Sequence, residues 1–199
     1  MKKTTLMTIR KPVRYKENVK RSGFICSASR VKSAEEARSF IHQISGEYRN
    51  ATHNCWAYRV FENGQVVEAS SDAGEPSGTA GRPILDALRK LDLVNVAVVV
   101  TRYFGGVKLG KRGLIEAYGG VTERALSNAE KAQLVLMNVY RCDMDYSEYE
   151  RTKSRLERDG GRVLKAHYTD RVMFEAAVPQ DRDCFLRRCT FVDTRLVKL

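Results

Sequence analysis

The sequence predicts an α+β protein of two domains. Its 199 residues, of which 43% are hydrophobic, are sufficient for one ordinary domain and a smaller one. Strand and helix patterns alternate up to about residue 138, and the pattern then restarts as strand, helix, strand, strand, helix, strand. That order is typical of a ferredoxin-like βαββαβ unit. We therefore expect domains of residues 1–138 and 139–199.

The first domain begins with a predicted strand over residues 23–31 and an amphipathic helix. Ser33 and Glu36 have the spacing of a capping box, and the apolar residues at 37, 40, 41 and 44 share one helical face. Residues 55–61 and 65–69 predict the strands of a hairpin. Asn63-Gly64 lies at its turn, because this pair readily adopts the positive φ angles of a type I′ turn.

The middle of the chain predicts a loop, a helix and a buried strand. Residues 70–81 are rich in Ser, Gly, Asp and Pro, and Pro83 then begins a helix. Residues 94–100 are an apolar, β-branched run, which predicts a strand covered on one face or both. A glycine-rich turn over residues 101–113 leads into a helix pattern that reaches Ala125, and residues 134–137 predict a strand that closes the domain.

The second domain has its own helix boundary signals. Ser147 and Glu150 match a capping box, and Asp159-Gly160-Gly161 is typical of a helix end. Residues 163–168 and 172–178 predict two strands joined by a short polar turn.

Charge and cysteine usage predict a soluble cytoplasmic protein without a membrane span. No stretch approaches the roughly 20 apolar residues that a span needs, and no export signal is recognisable. The five cysteines are scattered, which predicts reduced thiols. The net charge of +11 is concentrated in residues 1–31, with nine Lys/Arg and one acid. This excess fits either contact with nucleic acid or the solubility of an edge strand.

The most distinctive chemistry lies in residues 101–113, which contain four basic residues, two aromatics, four glycines and no acid. Glycines let backbone N–H groups approach an anion, and the following helix N-terminus adds partial positive charge. Aromatic side chains here could also stack on bases. The alternative is a tight turn with Phe104 in the core. The predicted phosphate-binding residues are Arg102, Tyr103, Gly105, Gly106, Lys108, Gly110, Lys111 and Arg112.

This segment also matches most of the P-loop pattern, through Gly105, Gly110 and Lys111. Arg112 stands where the pattern requires the hydroxyl that holds magnesium. No apolar strand ending in Asp offers a second magnesium ligand. We therefore do not expect nucleotide hydrolysis.

A second cluster of polar residues lies between the hairpin and the next helix. Asp72 and Glu75 could bind a cation or act as acid and base, and Ser77 or Thr79 could contact phosphate. Such residues also often hydrogen-bond their own loop backbone. Cys55 near His53 could be a nucleophile. The same pair provides only two of the four ligands of a tetrahedral zinc site, so we predict no metal and no cofactor. The cluster is His53, Asp72, Glu75, Ser77, Thr79 and Arg82.

Three segments together closely resemble the YigZ/IMPACT family. They are HNCWAYR at 53–59, GEPSGTAGRP at 74–83 and NVAVVVTRYFGGVKLG at 95–110. RSGFI at 21–25 and AYGG at 117–120 extend the match, which covers nearly everything after residue 20. The resemblance implies a first domain that shares its fold with a ribosomal-protein domain and elongation factor G. It implies a ferredoxin-like second domain that resembles another elongation-factor domain.

Both folds meet RNA, so the resemblance implies an RNA- or ribosome-associated role. Eukaryotic IMPACT proteins regulate translation by restraining a kinase, through an additional N-terminal domain that this sequence lacks, so we do not transfer the kinase role. This sequence has Ala73 where the family has a second Asp, Arg112 where it has Gly and Glu116 where it often has Arg. The first difference weakens any two-carboxylate metal mechanism, and the others shift the charge of the loop.

We therefore hypothesise a noncatalytic protein that binds structured RNA or the ribosome and has a translation-associated regulatory role. The alternative is a metal-dependent hydrolase that uses the second cluster on a phosphate or peptide substrate. A third hypothesis is a protein-interaction module that acts through the C-terminal sheet face.

Overall fold

A computed structural model describes residues 5–179 and 182–198 of the chain. Its internal contacts divide the chain into two compact units, one of Leu6–Gln133 and the other including the chain from Leu134 onward. The division lies slightly before the predicted boundary at residue 138. None of the helices among the described residues is long and apolar enough to cross a membrane.

The described residues before the division form six strands and three helices. The strands are β1 (Thr5–Ile9), β2 (Val13–Val19), β3 (Ser22–Arg30), β4 (His53–Glu62), β5 (Gln65–Ser71) and β6 (Val96–Tyr103). The helices are α1 (Ala34–Glu47), α2 (Gly81–Lys90) and α3 (Gly110–Ser127).

The centre of the first unit is an antiparallel sheet with the strand order β2-β3-β6-β4-β5. Helix α1 covers one face, where Ile41 and Ile44 pack against the odd-numbered residues of β6 such as Val99. Helices α2 and α3 cover the other face, where Leu88 and Tyr118 pack within the same cluster as the even-numbered residues. Side chains alternate between the two faces along a strand, and both faces of β6 are covered by helices, so residues 96–102 are all buried. The apolar run is therefore covered on both faces.

The predicted local signals of the first unit are confirmed. The backbone N–H of Glu36 donates to Ser33 Oγ at 3.1 Å and caps α1. Asn63 and Gly64 have φ angles of 51° and 81°, as a type I′ turn requires. In one detail the capping box differs, because Glu36 Oε2 accepts from the Lys32 N–H instead of the N–H of Ser33.

The second unit has the strand order of a ferredoxin-like fold. Its elements are β7 (Lys131–Met144), which begins before the division, α4 (Tyr146–Arg158), β8 (Arg162–Tyr168), β9 (Val172–Pro179), a 3-10 helix (Cys184–Leu186) and β10 (Thr190–Lys198). The order β10-β7-β9-β8 places the first and third strands in the centre. Where the pattern predicts a second helix, the described residues form only the 3-10 turn.

The start of α4 differs from the prediction. Its N-cap is Asp145, whose Oδ1 accepts from the Glu148 N–H at 2.7 Å, so the predicted capping box at Ser147 is wrong. Asp carboxylates cap helices at least as well as Ser hydroxyls do. The predicted helix end is confirmed, since Gly160 has a φ of 77° and the Gly161 N–H donates to Leu156 O.

A disulfide between Cys142 and Cys189 corrects the prediction that all cysteines are reduced thiols. The two residues are 47 positions apart in sequence, so their spacing gave no signal. They meet because β10 pairs with β7 and Thr190 lies opposite Arg141, which brings the two Cα atoms to 4.6 Å. Cys26 and Cys55 are free and buried.

Candidate nucleic-acid interface

One end of the first unit's sheet collects the loops that carry the predicted site residues. Antiparallel pairing places Tyr103, at the end of β6, opposite Gly23 near the start of β3, and Arg102 opposite His53 at the start of β4. The β2–β3 turn, the α1–β4 connection, the β5–α2 loop and the β6–α3 loop therefore lie at this end, which we call the cationic end.

The β6–α3 loop, residues 104–109, is open to solvent. Phe104 is 47% exposed, so the alternative in which this ring fills the core is wrong. Lys108 and Lys111 are exposed and form no ion pair with any described residue. Gly106 and Gly110 have φ angles of 82° and 70°, a conformation that glycine adopts without steric cost.

Hydrogen bonds to neighbouring segments hold the start of this loop in place. The Phe104 N–H donates to Thr52 Oγ1 at 3.0 Å, and the Gly105 N–H lies 3.4 Å from Ser22 Oγ. The Tyr103 hydroxyl lies 3.0 Å from Asn50 Oδ1 and donates to it. Tyr103 is half-buried and its hydroxyl is already hydrogen-bonded within the protein, whereas the outer face of the Phe104 ring is exposed to solvent.

Helix α3 begins directly after the loop and has no acidic residue in its first turn. Leu109, its N-cap, provides no side-chain hydrogen bond. Arg112 is exposed and forms an ion pair with Glu116 at 2.9 Å, so these two departures from the family pattern largely offset each other. An exposed pair of this kind contributes little to stability and leaves the arginine accessible.

Arg102 lies inside the protein and not on the surface of the loop. It follows Val100 by two residues, so its side chain points to the same covered face of β6. Its Nη1 donates to Glu75 Oε1 at 2.7 Å, and its Nη2 lies 3.3 Å from Ser22 Oγ. The guanidinium is also 5.5 Å from the centre of the Phe104 ring, so it supports that ring from beneath.

Glu75 is the centre of a buried polar cluster. The Tyr118 hydroxyl donates to Glu75 Oε1 at 2.8 Å, and the Cys55 thiol lies 3.4 Å from that hydroxyl. Burial raises the pKa of Tyr118 far above its usual range, with further contributions from Cys55 and Glu75. Burial likewise raises the pKa of Cys55 to about 12. Cys55 is therefore a neutral thiol near pH 7, and a thiol is a poor nucleophile.

His53 is the partly exposed member of this cluster. Its Nδ1 lies 2.9 Å from the Ala73 carbonyl oxygen, which only accepts, so Nδ1 carries the hydrogen. Its Nε2 then faces Glu75 Oε2 at 3.8 Å.

Asp72 is used by the backbone of its own loop. Its carboxylate accepts hydrogen bonds from the N–H groups of Gly78, Ala80 and Gly81 at 2.8–2.9 Å, and it thus caps the start of α2. Burial acts to raise the pKa of Asp72, but these amides outweigh it and hold the pKa below its ordinary value of 3.8.

The remaining members of the second cluster do not converge on one point. Thr79 donates to the Pro76 carbonyl at 2.6 Å, and Arg82 pairs with Asp86 on the surface of α2. Ser77 is exposed on the loop. Among the described residues, no group of three His, Cys, Asp or Glu side chains could hold a metal ion.

Sequence reasoning missed the contribution of the β2–β3 turn to the cationic end. Lys20 and Arg21 form this turn and are exposed. A Cβ atom on Gly105 would lie 1.8 Å from the Arg21 carbonyl oxygen, so the turn and the β6–α3 loop touch through their backbones. The concentration of positive charge in residues 1–31 was the available signal, but it did not identify a place in the fold.

The fold and this site define a class of α+β protein in which cationic loops gather at one end of a helix-covered antiparallel sheet. A family model described as the Impact N-terminal domain matches residues 20–126, more than half of the chain. The chain therefore belongs to the IMPACT family, and the resemblance seen in its motifs is confirmed.

Known relatives match along most of the chain. IMPACT family member YvyE of Bacillus subtilis (strain 168) is 41% identical over 162 residues, which cover 81% of this chain and 74% of the relative. IMPACT family member YigZ of Escherichia coli (strain K12) is 31% identical over 170 residues, which cover 84% and 83%. A crystal structure of a hypothetical protein, 26% identical, superposes with a TM-score of 0.68 and covers 98% of this chain and 97% of its own. The predicted two-domain α+β fold is thus confirmed.

Replacing Asp72 with Asn should lower the free energy of unfolding by about 1–3 kcal/mol, because one amide acceptor replaces a carboxylate that serves three N–H groups. Since folding lowers the pKa of Asp72, its contribution is complete above 3.8 and is lost as the pH falls through the folded-state value. Urea unfolding of the variant should therefore show a weaker loss of stability at acid pH. Asp86→Asn, which changes a surface pair, is the control. Equal effects of the two substitutions would contradict the capping role.

Replacing Arg102 with Met should lower the free energy of unfolding by about 3–5 kcal/mol, because it leaves Glu75 buried without its cation. Adding Glu75→Gln should recover part of that loss, since Gln is neutral and still accepts from Tyr118. Urea unfolding of the two single variants and the double variant gives the coupling. Strictly additive effects would show that the ion pair is not the source of the loss.

Proposed function

We propose that this protein binds RNA, free or in the ribosome, through the cationic end, and that it does so in a translation-associated regulatory role without catalysis. The observation that carries the proposal is the open β6–α3 loop. Lys108 of this loop and Lys111 in the first turn of α3 have no ion-pair partners in the described part of the chain, and no side chain caps the start of that helix. Phe104 adds an exposed aromatic ring to the same loop.

The charge of this end favours a polyanion. The carboxylates carried by its loops are already engaged, since Glu75 pairs with Arg102 and Asp72 binds amides. Lysines contribute to nucleic-acid binding chiefly by releasing counterions from phosphates, so the expected affinity falls steeply with salt. Gly106 and the first N–H groups of α3 add the donors that phosphate oxygens accept.

Phe104 is better placed than Tyr103 to stack on a base. Tyr103 is half-buried and its hydroxyl is bound to Asn50, whereas Phe104 is 47% exposed. The Arg102 guanidinium beneath the ring and the Thr52 hydrogen bond fix its position before any ligand arrives. A ring that is already fixed loses little conformational entropy when a base stacks on it.

The connection to translation rests on family membership. Eukaryotic members regulate translation, and the folds of both domains resemble folds that meet RNA. On the same ground we propose the cytoplasm, where ribosomes work, as its compartment.

Hydrolysis by the second cluster is the weaker proposal. The two carboxylate oxygens of Asp72 are bound by three amides, and Cys55 is a buried neutral thiol. Only His53 and Glu75 approach each other, and Glu75 is bound by Arg102 and Tyr118. His53 Nε2 could accept a proton, but with Asp72 occupied by amides and Cys55 neutral the cluster supplies it with no activated nucleophile.

The double variant Lys108→Ala/Lys111→Ala should weaken RNA binding and flatten its salt dependence. With single-stranded RNA, the log-log slope should become less negative by about 1.4, from about 0.7 for each phosphate contact. Fluorescence anisotropy with a labelled single-stranded oligonucleotide and a labelled stem-loop measures both quantities. Lys32→Gln/Arg38→Gln removes the same charge near the start of α1, at the opposite end of the sheet, and is the control. If the wild-type protein binds neither RNA at low salt, the proposed function is wrong.

Replacing Phe104 with Leu should weaken RNA binding by about 1–3 kcal/mol, the usual contribution of one stacked base. Phe104→Trp should retain or improve binding, because its ring also stacks. Since the ring is half-exposed, both variants should unfold at nearly the wild-type urea concentration. Anisotropy titrations at one fixed salt concentration test the first expectation. Wild-type affinity in the Leu variant would remove stacking from the proposal.

A further inference from the structure

The β2–β3 turn extends the proposed site. Resting on the RNA-binding function above, we propose that Lys20 and Arg21 form a second phosphate-binding arm, which contacts the backbone of the same RNA strand beside the β6–α3 loop. In the sequence these two residues stand out only as part of the basic stretch 1–31.

The backbone of this turn adopts a conformation that its residue types disfavour. Val19 pairs with Ser22, so Lys20 and Arg21 are the two central residues of a tight hairpin turn. Their φ angles are 44° and 70°, in the left-handed region where a side chain normally incurs strain. Turns of this geometry strongly favour Asn-Gly.

The other tight hairpin of the same unit uses the favoured pair. Asn63 and Gly64 have φ angles of 51° and 81° at the β4–β5 turn. The two turns thus have the same length and similar backbone angles, but only the β2–β3 turn carries two cationic side chains. Strained backbone that persists in a protein is concentrated at functional sites. The comparison within one chain indicates that the charges at Lys20 and Arg21 are kept for a reason other than folding.

The turn is packed directly against the phosphate-binding loop. The Arg21 carbonyl oxygen occupies the space that a Cβ on Gly105 would need. Ser22, the next residue, accepts from the Gly105 N–H at 3.4 Å and from Arg102 Nη2 at 3.3 Å. The turn and the loop therefore form one continuous surface, with a shared hydroxyl beneath it.

The charges of the turn are available to a ligand. Lys20 and Arg21 are exposed and form no ion pair with any described residue. The nearest carboxylate along β2, Glu17, is held by Arg124 at 2.8 Å. Together with Lys108 and Lys111, the arm gives four cations that form no ion pair with any described residue and that lie on adjoining segments. Separate cations spread over two turns match the repeated phosphates of a nucleic-acid backbone better than a single small anion.

The test is to replace the turn with the sequence that its geometry favours, in the variant Lys20→Asn/Arg21→Gly. This variant should unfold at a higher urea concentration than the wild type, because the strain is relieved. Its affinity for the labelled single-stranded RNA should nevertheless fall about tenfold at low salt, and the salt slope should become less negative by about 1.4. A merely structural turn would gain stability without losing affinity.

Two further variants separate the outcomes. Lys20→Gln/Arg21→Gln removes the charge but keeps non-glycine residues, so it should lose the same affinity without the gain in stability. Lys32→Gln/Arg38→Gln is again the matched charge control. If Lys20→Asn/Arg21→Gly binds RNA as the wild type does while Lys108→Ala/Lys111→Ala binds weakly, the proposed phosphate-binding role of the turn is wrong and the proposed function stands. If the wild type binds no RNA, both are wrong. A loss of stability in Lys20→Asn/Arg21→Gly would overturn the argument from strain.

Discussion

The organisation of the cationic end depends on the buried ion pair between Arg102 and Glu75. A charge buried without a partner is strongly destabilising, so each of these residues requires the other. Arg102 belongs to the central strand β6, and Glu75 belongs to the loop between β5 and α2. Tyr118 of α3 donates to the same carboxylate. One carboxylate therefore ties together the sheet, the loop and the helix that surround the candidate site.

This arrangement divides the basic residues of segment 101–113 into two kinds. Arg102 acts inside the protein, where it neutralises Glu75 and supports the ring of Phe104. Lys108 and Lys111 come after the strand has ended, so they are no longer directed into the core. The same segment thus supplies both the internal framework and the external charge. A residue's distance from the end of β6 determines which of the two roles it has.

Most of the fold could be predicted from the sequence, because its signals are local. The Ser33 cap, the Asn63-Gly64 turn and the apolar run of β6 each act through neighbouring residues. What could not be predicted depends on contacts between distant segments. The Cys142–Cys189 disulfide arises from strand pairing over 47 positions, and the second helix of the ferredoxin-like unit is shortened to the turn Cys184–Leu186.

The sequence indicated residues 101–113 as the candidate site, but it did not indicate which of their side chains are exposed. The glycines and lysines of the β6–α3 loop indicated an anion site, and the loop is open as that requires. The burial of Arg102 follows from the alternation of side chains along β6. The sequence did not locate the last residue of that strand accurately enough to predict which face Arg102 occupies. Asp72 was indistinguishable from a metal ligand or acid until its three amide partners were known. Lys20 and Arg21 were hidden because Lys-Arg carries no turn signal.

The double coverage of β6 separates what this scaffold must conserve from what it can vary. Between Val96 and Arg102 every side chain is buried against one of the two helical layers, so no position in that stretch can vary without affecting the core. Along this part of the chain, solvent-facing positions begin only after Tyr103. The segment beyond Tyr103 tolerates exchange wherever its residues face water, with Gly105 as the fixed point, since the Arg21 carbonyl leaves no room for any side chain there. The buried sheet could therefore serve as a scaffold onto which other recognition loops are grafted in place of the exposed loop.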